Sequence, residues 1–446
     1  MIEILLIVLF SLFGVLLGVI TGLLPGLHVN NVALLIVSTS GIIISVCMPL
    51  TTFGVSTNFL LVLIAGFIMS ISISHSFHDT IPTTFIGAPE EDTALAVLPA
   101  HRLLLKGEGY KAVTLAVLGS IGAMLVCLAL LVPLRFIIGP PLNAYLFVRD
   151  VMAWLLIAVV LLLLATEKTR ITELGTKGWV PSAAGILFAA FVFLLSGLFG
   201  LLIFNFPVSS PLGLPAPVLF PALAGLFGLP TLLTSVSQKP VIPPQTVEPF
   251  FMNSIEKKAS IVSTLTGSLA GILVSIIPGL TTATGTVLAM TARQKQSSEQ
   301  TIVTLSAVNT ASSFFVLIIL FVLLRPRSGV TIAINELLPI EAWTGVSLPT
   351  TLIYLLMFLV LSGVFSYFLC LYIGKVFAKK FHRIPYTTLV LFTIVLVISL
   401  VFLFTGIMGL LVLFAATCIG FLPLCWGVRR SHCMGVLLLP IILYFL

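Results

Sequence analysis

The sequence predicts an all-α polytopic membrane protein built as an inverted repeat, with two broken, re-entrant helical hairpins and about 10 further membrane segments. Three observations carry that expectation. Hydrophobic residues make up 59% of the 446 positions and charged residues only 8%, with a mean hydropathy of +1.26, so a water-soluble fold would lack the polar surface to cover itself. The stretch Gly22-Leu23-Leu24-Pro25-Gly26-Leu27-His28-Val29-Asn30-Asn31 interrupts the first apolar run, and it returns as Ser275-Ile276-Ile277-Pro278-Gly279-Leu280-Thr281-Thr282. A shift of 253 positions lays Gly14 on Gly267, Gly18 on Gly271, Pro25 on Pro278, Gly26 on Gly279 and Leu27 on Leu280.

A proline removes a backbone donor, and a glycine beside it permits an unusual turn. Broken backbone at membrane depth is tolerated only where protein or a cavity surrounds it. Each copy therefore reads as two half-helices meeting inside the membrane, the first over about 3–23 and 32–50 and the second over 259–292. Residues 1–23 carry no basic n-region and no small-residue cleavage site, and they read as mature structure rather than a signal peptide. The Gly14/Gly18 and Gly267/Gly271 pairs have the spacing for close helix approach.

After the first hairpin, an apolar run over 56–73 is long enough to span. Residues 74–111 hold His75, His78, Asp79, Glu90, Glu91, Asp92, Arg102 and three prolines, and they read as an irregular segment. Apolar stretches follow near 112–138, 150–165, 180–203 and 214–236, then a proline-rich polar linker over 237–258. The second half repeats the order: a span at 301–324, an irregular segment at 325–349, and apolar stretches near 350–373, 384–404, 406–424 and 434–446. The expected units are a first repeat over 1–236, a cytoplasmic linker over 237–258 and a second repeat over 259–446.

If each hairpin enters and leaves on one side, the loops 101–111, 166–178, 237–258, 291–300, 374–383 and 425–433 share one face and hold 17 of the 21 Lys and Arg residues. The positive-inside rule makes that face cytoplasmic in the cell membrane. The net charge of +7 then sets orientation and gives no reason to expect nucleic acid. The six cysteines show neither disulfide nor zinc spacing, and read as packing residues. Cys425, Arg429, Arg430, His432 and Cys433 resemble a metal knuckle only loosely, and the double arginine reads as a topological anchor. No Walker loop, Gly-x-Ser-x-Gly elbow or His-Glu-x-x-His motif occurs, so neither bound ATP nor hydrolysis has an evident seat.

A half-helix beginning after each break, Pro25-Gly26 and Pro278-Gly279, would aim backbone N–H groups and a positive dipole end at the midplane, which suits a carboxylate or phosphate. His28, Asn30 and Asn31 on one hairpin, and Thr281, Thr282 and Thr284 on the other, supply donors without a fixed buried charge. Helix capping is the alternative reading of the same residues. His78 and Asp79 are candidates for coupling to a proton or sodium ion, with a solvated vestibule as the alternative setting for Asp79. A His75, His78 and Asp79 metal site would lack a fourth ligand, so no metal or other cofactor is expected. Asn309, Thr310, Ser312 and Ser313 form the matching polar stretch of the second half and are further substrate-binding candidates.

Thr83-Thr84-Phe85-Ile86-Gly87-Ala88-Pro89, then Ala94 to Pro99, then Gly107-Glu108-Gly109-Tyr110-Lys111-Ala112, join the paired hairpins in an order that resembles the large permease subunit of the tripartite tricarboxylate transporters, the TctA-like (DUF112) family. The resemblance covers most of the chain and includes Val308-Asn309-Thr310-Ala311-Ser312-Ser313. It adds Thr83 and Thr84 to the substrate-binding candidates. It departs at His28-Val29-Asn30-Asn31, where the family has a glycine-rich continuation, and at His75 to Thr84, where it has small residues. The resemblance implies secondary uptake of small organic anions with a small membrane subunit and an extracytoplasmic binding protein. The leading expectation is an ion-coupled permease for a di- or tricarboxylate, working by alternating access at a midplane site. The alternative is a polyprenyl-phosphate lipid translocase. An intramembrane enzyme using His78 and Asp79 is the weakest reading, since no nucleophile or oxyanion hole accompanies them.

Overall fold

The computed structural model describes residues 2–24, 29–87, 96–165, 167, 179–211, 218–238, 243–248, 251–277, 282–293, 297–381 and 386–446. Among these residues every regular element is a helix, and there are no strands. Helix α1, Ile2–Leu23, ends at the first Pro-Gly break, and the chain resumes as α2, Val29–Ser38, and α3, Ser40–Cys47. This return arm bends by 63° between Val32–Ser38 and Ser40–Phe53. Ser56 then caps α4, Thr57–His78, by accepting from Phe59 N at 3.2 Å. A short α5, Thr80–Phe85, prolongs it.

Helices α6, Val97–Leu105, and α7, Gly109–Ile138, follow. Next come α8, Ala144–Asp150, and α9, Met152–Ala165, bent by 72° to one another, and α10, Trp179–Ile203. Helices α11, Leu219–Leu223, and α12, Leu229–Gln238, are joined by a π-helical turn and close the first half.

The second hairpin opens with α13, Ser254–Ile276, started by an Asn253/Glu256 capping box. It returns as α14, Thr282–Ala292, so close to α13 that a Cβ added to Gly285 would lie 2.5 Å from a Val274 methyl. Ser297 caps α15, Ser298–Leu323. Helix α16, Gly329–Leu337, lies within the stretch expected to be irregular. It is followed by α17, Thr350–Phe381, and α18, Tyr386–Trp426, which absorbs two expected segments across a kink at the non-helical Gly406. The chain ends in α19, Gly435–Phe445. Among the described residues eight helices are long and apolar enough to cross a membrane, or up to ten if each bent pair is one span. The protein is a multi-pass membrane protein.

The two halves share a packing scheme. A Cβ on Gly14 would lie 2.5 Å from Ser70 Cβ, and one on Gly18 would lie 2.5 Å from Ser74 Cβ. At the equivalent positions, Gly267 sits on the Thr304 carbonyl and Ala307, and Gly271 on the Val308 carbonyl and Ala311. So α1 lies along α4 in the register in which α13 lies along α15, each pair parallel, as a returning arm between them requires.

The second pair is upside down relative to the first. Phe358 packs against Gly66, and the Cys370 thiol meets the Phe77 carbonyl, so α17 runs with α4. Gly363 meets Met124 and Gly374 meets Val113, so α7 runs against α17. Gly119 meets Val303 and Gly139 meets Val322, so α15 runs with α7 and against α4. The inverted repeat is thus a property of the fold.

This geometry sorts the charges. The start of α7, the starts of α13 and α15 and the end of α17 share one end of the bundle, which carries Lys106, Lys111, Lys257, Lys258, Lys375, Lys379 and Lys380. Lys111 and Glu299 pair there at 3.5 Å. The opposite end holds Arg135, Arg325 and Arg327.

One expectation fails here. Residues 74–85 are not an irregular loop: they continue α4 into α5 as a candidate span over Thr57–Phe85. Its polar side chains are shielded by the bundle: 89% of its most apolar window is buried in protein, against 83% for α15 and 39–50% for the other spans. The two most buried spans are therefore the corresponding helices of the two halves.

Candidate functional site

These central helices bury an unusual density of polar groups. On α4 and α5, Ser70, Ser72, Ser74, His75, Ser76, His78, Asp79, Thr80, Thr83 and Thr84 are all buried. Thr301, Thr304, Ser306, Asn309, Thr310 and Ser312 are buried on α15, with Ser313 half-buried. Polar residues inside a membrane bundle mark pathways or binding sites far more often than they mark lipid contact.

The two sets meet. Asn309 Nδ2 donates to Asp79 Oδ2 at 3.2 Å, joining the halves across 230 residues of sequence. The Thr83 hydroxyl donates to the Asp79 carbonyl at 2.7 Å, which fixes the turn between α4 and α5. His78 Nδ1 donates to the Ser74 carbonyl at 2.7 Å, so the neutral ring presents Nε2 as an acceptor. That Nε2 is buried and has no partner, and neither have the buried hydroxyls of Thr304 and Thr310. Buried polar atoms are ordinarily paired, and unpaired ones leave bonding capacity for a ligand, water or ion.

His75 faces elsewhere. Its Nδ1 lies 3.1 Å from the Thr21 hydroxyl. Since that hydroxyl donates to the Gly18 carbonyl, it accepts from His75 and ties α4 to α1.

The hairpins approach each other through a third segment. Asn30 Oδ1, near the start of α2, accepts from Val330 N at 3.3 Å. Arg327 Nη1 donates to the carbonyl of Ile276, the last residue of α13. Four consecutive residues, Arg327 to Val330, thus touch both hairpins. Contact with Asn30 is tight enough that a Cβ on Gly329 would fall 2.6 Å from Asn30 Cβ. Thr282 is buried at the start of α14. Pro25, Gly26, His28, Pro278, Gly279 and Thr281 lie outside the described residues, as do the side chains of Asn31 and Thr284.

The match that decides the family covers almost the whole chain: the profile of the tripartite tricarboxylate transporter TctA family matches residues 8–435. The chain belongs to the TctA family. It is also 26% identical over 447 residues to an uncharacterized protein of Methanocaldococcus jannaschii, covering 98% of each chain. No solved structure matches it. As a member of a family of transporter subunits, this TctA-family chain is a secondary transporter component, consistent with its not being an enzyme.

Two groups escape sequence reasoning. The first is the Arg327 to Val330 bridge, hidden in a stretch whose composition suggests irregular structure; Ser328 and Thr331 in fact form the capping box that starts α16. The second is a buried carboxylate cluster. Glu167 Oε2 accepts from His432 Nε2 at 2.5 Å and from Arg429 Nε at 3.2 Å. Burial alone would raise the Glu167 carboxyl, but the hydrogen bond and charge of His432, with Arg429, hold it below the ordinary carboxylate value. The double arginine is therefore more than a topological anchor: Arg429 binds Glu167, and Arg430 donates to the Phe227 carbonyl at 3.3 Å.

Proposed function

We propose that this TctA-family protein is an ion-coupled permease for a di- or tricarboxylate, alternating access to a site between its two inverted halves. The observation that carries this reading is the Asp79–Asn309 contact, where the buried polar helices of the two halves touch among unpartnered donors and acceptors. In inverted-repeat transporters, a site at the repeat interface can be exposed to either side by rocking one half on the other. The half-helices α2 and α14 begin just past the Pro-Gly breaks and would turn positive dipole ends toward an anion. Asn309, Thr310, Ser312, Ser313, Thr83, Thr84 and Thr282 would supply neutral donors.

Asp79 and His78 would carry the coupling ion. Asp79 can bind sodium or exchange a proton, and the weaker bond that a neutralised carboxyl accepts from Asn309 would loosen the junction between the halves. By the positive-inside rule the lysine-rich end would face the cytoplasm, with the cell membrane as the site of action. The family implies a small membrane subunit and an extracytoplasmic binding protein as partners. The proposed units remain 1–236 and 259–446, joined by the linker over 237–258.

The test is counterflow in proteoliposomes with labelled citrate, succinate or tartrate, under imposed sodium or proton gradients. Exchange of at least one carboxylate is expected. Absence of exchange and binding for all of them, together with stabilisation by a short polyprenyl phosphate, would replace this reading with lipid translocation.

A further inference from the structure

Arg135, Arg325 and Arg327 lie at the end of the bundle opposite the lysines, and they are used differently. Arg135 is structural: its guanidinium donates to the carbonyls of Trp343, Pro140 and Thr344 and lies over the Phe136 ring. Arg325 and Arg327 share one aromatic ring instead. Their guanidinium carbons lie 5.8 and 5.1 Å from the centroid of the Tyr145 ring, and Arg325 Nη1 donates to the Tyr145 hydroxyl at 3.4 Å. Among the described residues neither arginine makes an ion pair. Arg327 Nε is buried with no partner, although Nη1 reaches the Ile276 carbonyl.

Two cations stacked on one ring without a carboxylate repel each other, and a buried unpaired N–H adds a desolvation cost. Capping the C-terminal end of α13 explains one bond of Arg327 and nothing about Arg325. An incoming carboxylate would answer both problems, because a planar guanidinium offers paired donors that match its two oxygens. The position is apt: the same turn touches Asn30 of the first hairpin and Ile276 of the second.

We propose that Arg325 and Arg327, held over Tyr145, form an outer anion-receiving station that binds a di- or tricarboxylate before it passes between the hairpins. This rests on the permease reading. Arg325, being exposed, would make the first encounter, and Arg327 would hand the anion to the hairpin mouth.

The test compares citrate affinity and transport kinetics in the full-length wild type, Arg325→Gln, Arg327→Lys and Arg327→Gln. Loss of a charged hydrogen-bond partner should weaken citrate binding about tenfold in each Gln variant. KM should rise by a similar factor with kcat little changed. Arg327→Lys keeps a cation beside Ile276 but loses the fork, so it should melt like wild type and still bind citrate more weakly. Wild-type citrate affinity and KM in Arg325→Gln would overturn the station, as would an Arg327→Gln variant that loses thermal stability alone. A wild type that neither binds nor exchanges any carboxylate would remove the permease reading itself, a distinct result.

Discussion

The first and second copies of the central helix pair share a skeleton and differ in chemistry. Gly14 and Gly18 seat α1 on α4 as Gly267 and Gly271 seat α13 on α15, yet the polar groups diverge along the same register. Under Gly18 stands Ser74, and under Gly271 stands Ala311. The ionisable groups His75, His78 and Asp79 belong to the first copy, while α15 offers Asn309, Thr310 and Ser312 at its centre. Close approach of two helices demands the same small residues in both copies, and both have them. Titratable chemistry sits on one side of the interface and neutral hydrogen bonding on the other, so a change of charge in one half is felt by the other at the Asp79–Asn309 contact.

The largest effect expected from this comparison is on transport. Asp79→Asn should abolish ion-driven carboxylate uptake while leaving a folded protein, and Asn309→Ala should reduce uptake without removing its ion dependence; proteoliposome assays of both variants check this. Equal losses of coupling in both would mean that the halves do not divide the labour.

The shared skeleton should break symmetrically. A side chain at Gly18 or Gly271 would come within 2.7 or 2.5 Å of a facing carbonyl oxygen, and Leu at either site should cost on the order of 3 kcal/mol through overpacking. Melting in detergent would check it, and a large asymmetry would show that only one copy is under tension.

Glu167 provides a control outside the repeat interface. Glu167→Gln should destabilise the protein by about 3 kcal/mol, because the amide oxygen can still accept but Arg429 and His432 lose their buried negative partner. The sign of the pH effect follows from the lowered carboxyl. Its contribution is complete above the ordinary carboxylate value of 4.5 and is lost as pH falls through the lower folded value. Melting temperature should thus drop in acid for the wild type, with that component absent in Glu167→Gln. The smallest effect belongs to Asn30→Ala, about 1 kcal/mol from the lost bond to Val330 N.

The skeleton is legible in the sequence because it is written in backbone terms. Glycine spacing and a Pro-Gly pair act locally, and their recurrence at a fixed shift needs no knowledge of the fold. The nature of residues 74–85 is not legible, since a polar run looks like a loop until a surrounding bundle is known to bury it. The Asp79–Asn309 and Arg327–Ile276 contacts span 230 and 51 residues, and no local pattern announces either. Arg325 and Arg327 stand out as exceptions to the cytoplasmic bias, but their shared use of Tyr145 depends on the arrangement of α7, α8 and α15. The apolar stretches near 384–404 and 406–424 read in the sequence as two separate segments. There the structure has a kink instead of a loop, with helix on both sides of a glycine whose φ is +64°.

Asp79 is proposed to link ion binding to anion binding across the two halves, and the most direct measurement of that link is the apparent citrate affinity of the purified protein. It would be titrated against sodium and against pH, in the wild type and in Asp79→Asn. Linkage requires that a coupled ion raise citrate affinity, by about tenfold for an ordinary coupling energy, and that citrate raise ion affinity by the same factor. That dependence is expected in the wild type and should disappear in Asp79→Asn. An ion dependence that survives unchanged in Asp79→Asn would contradict the link.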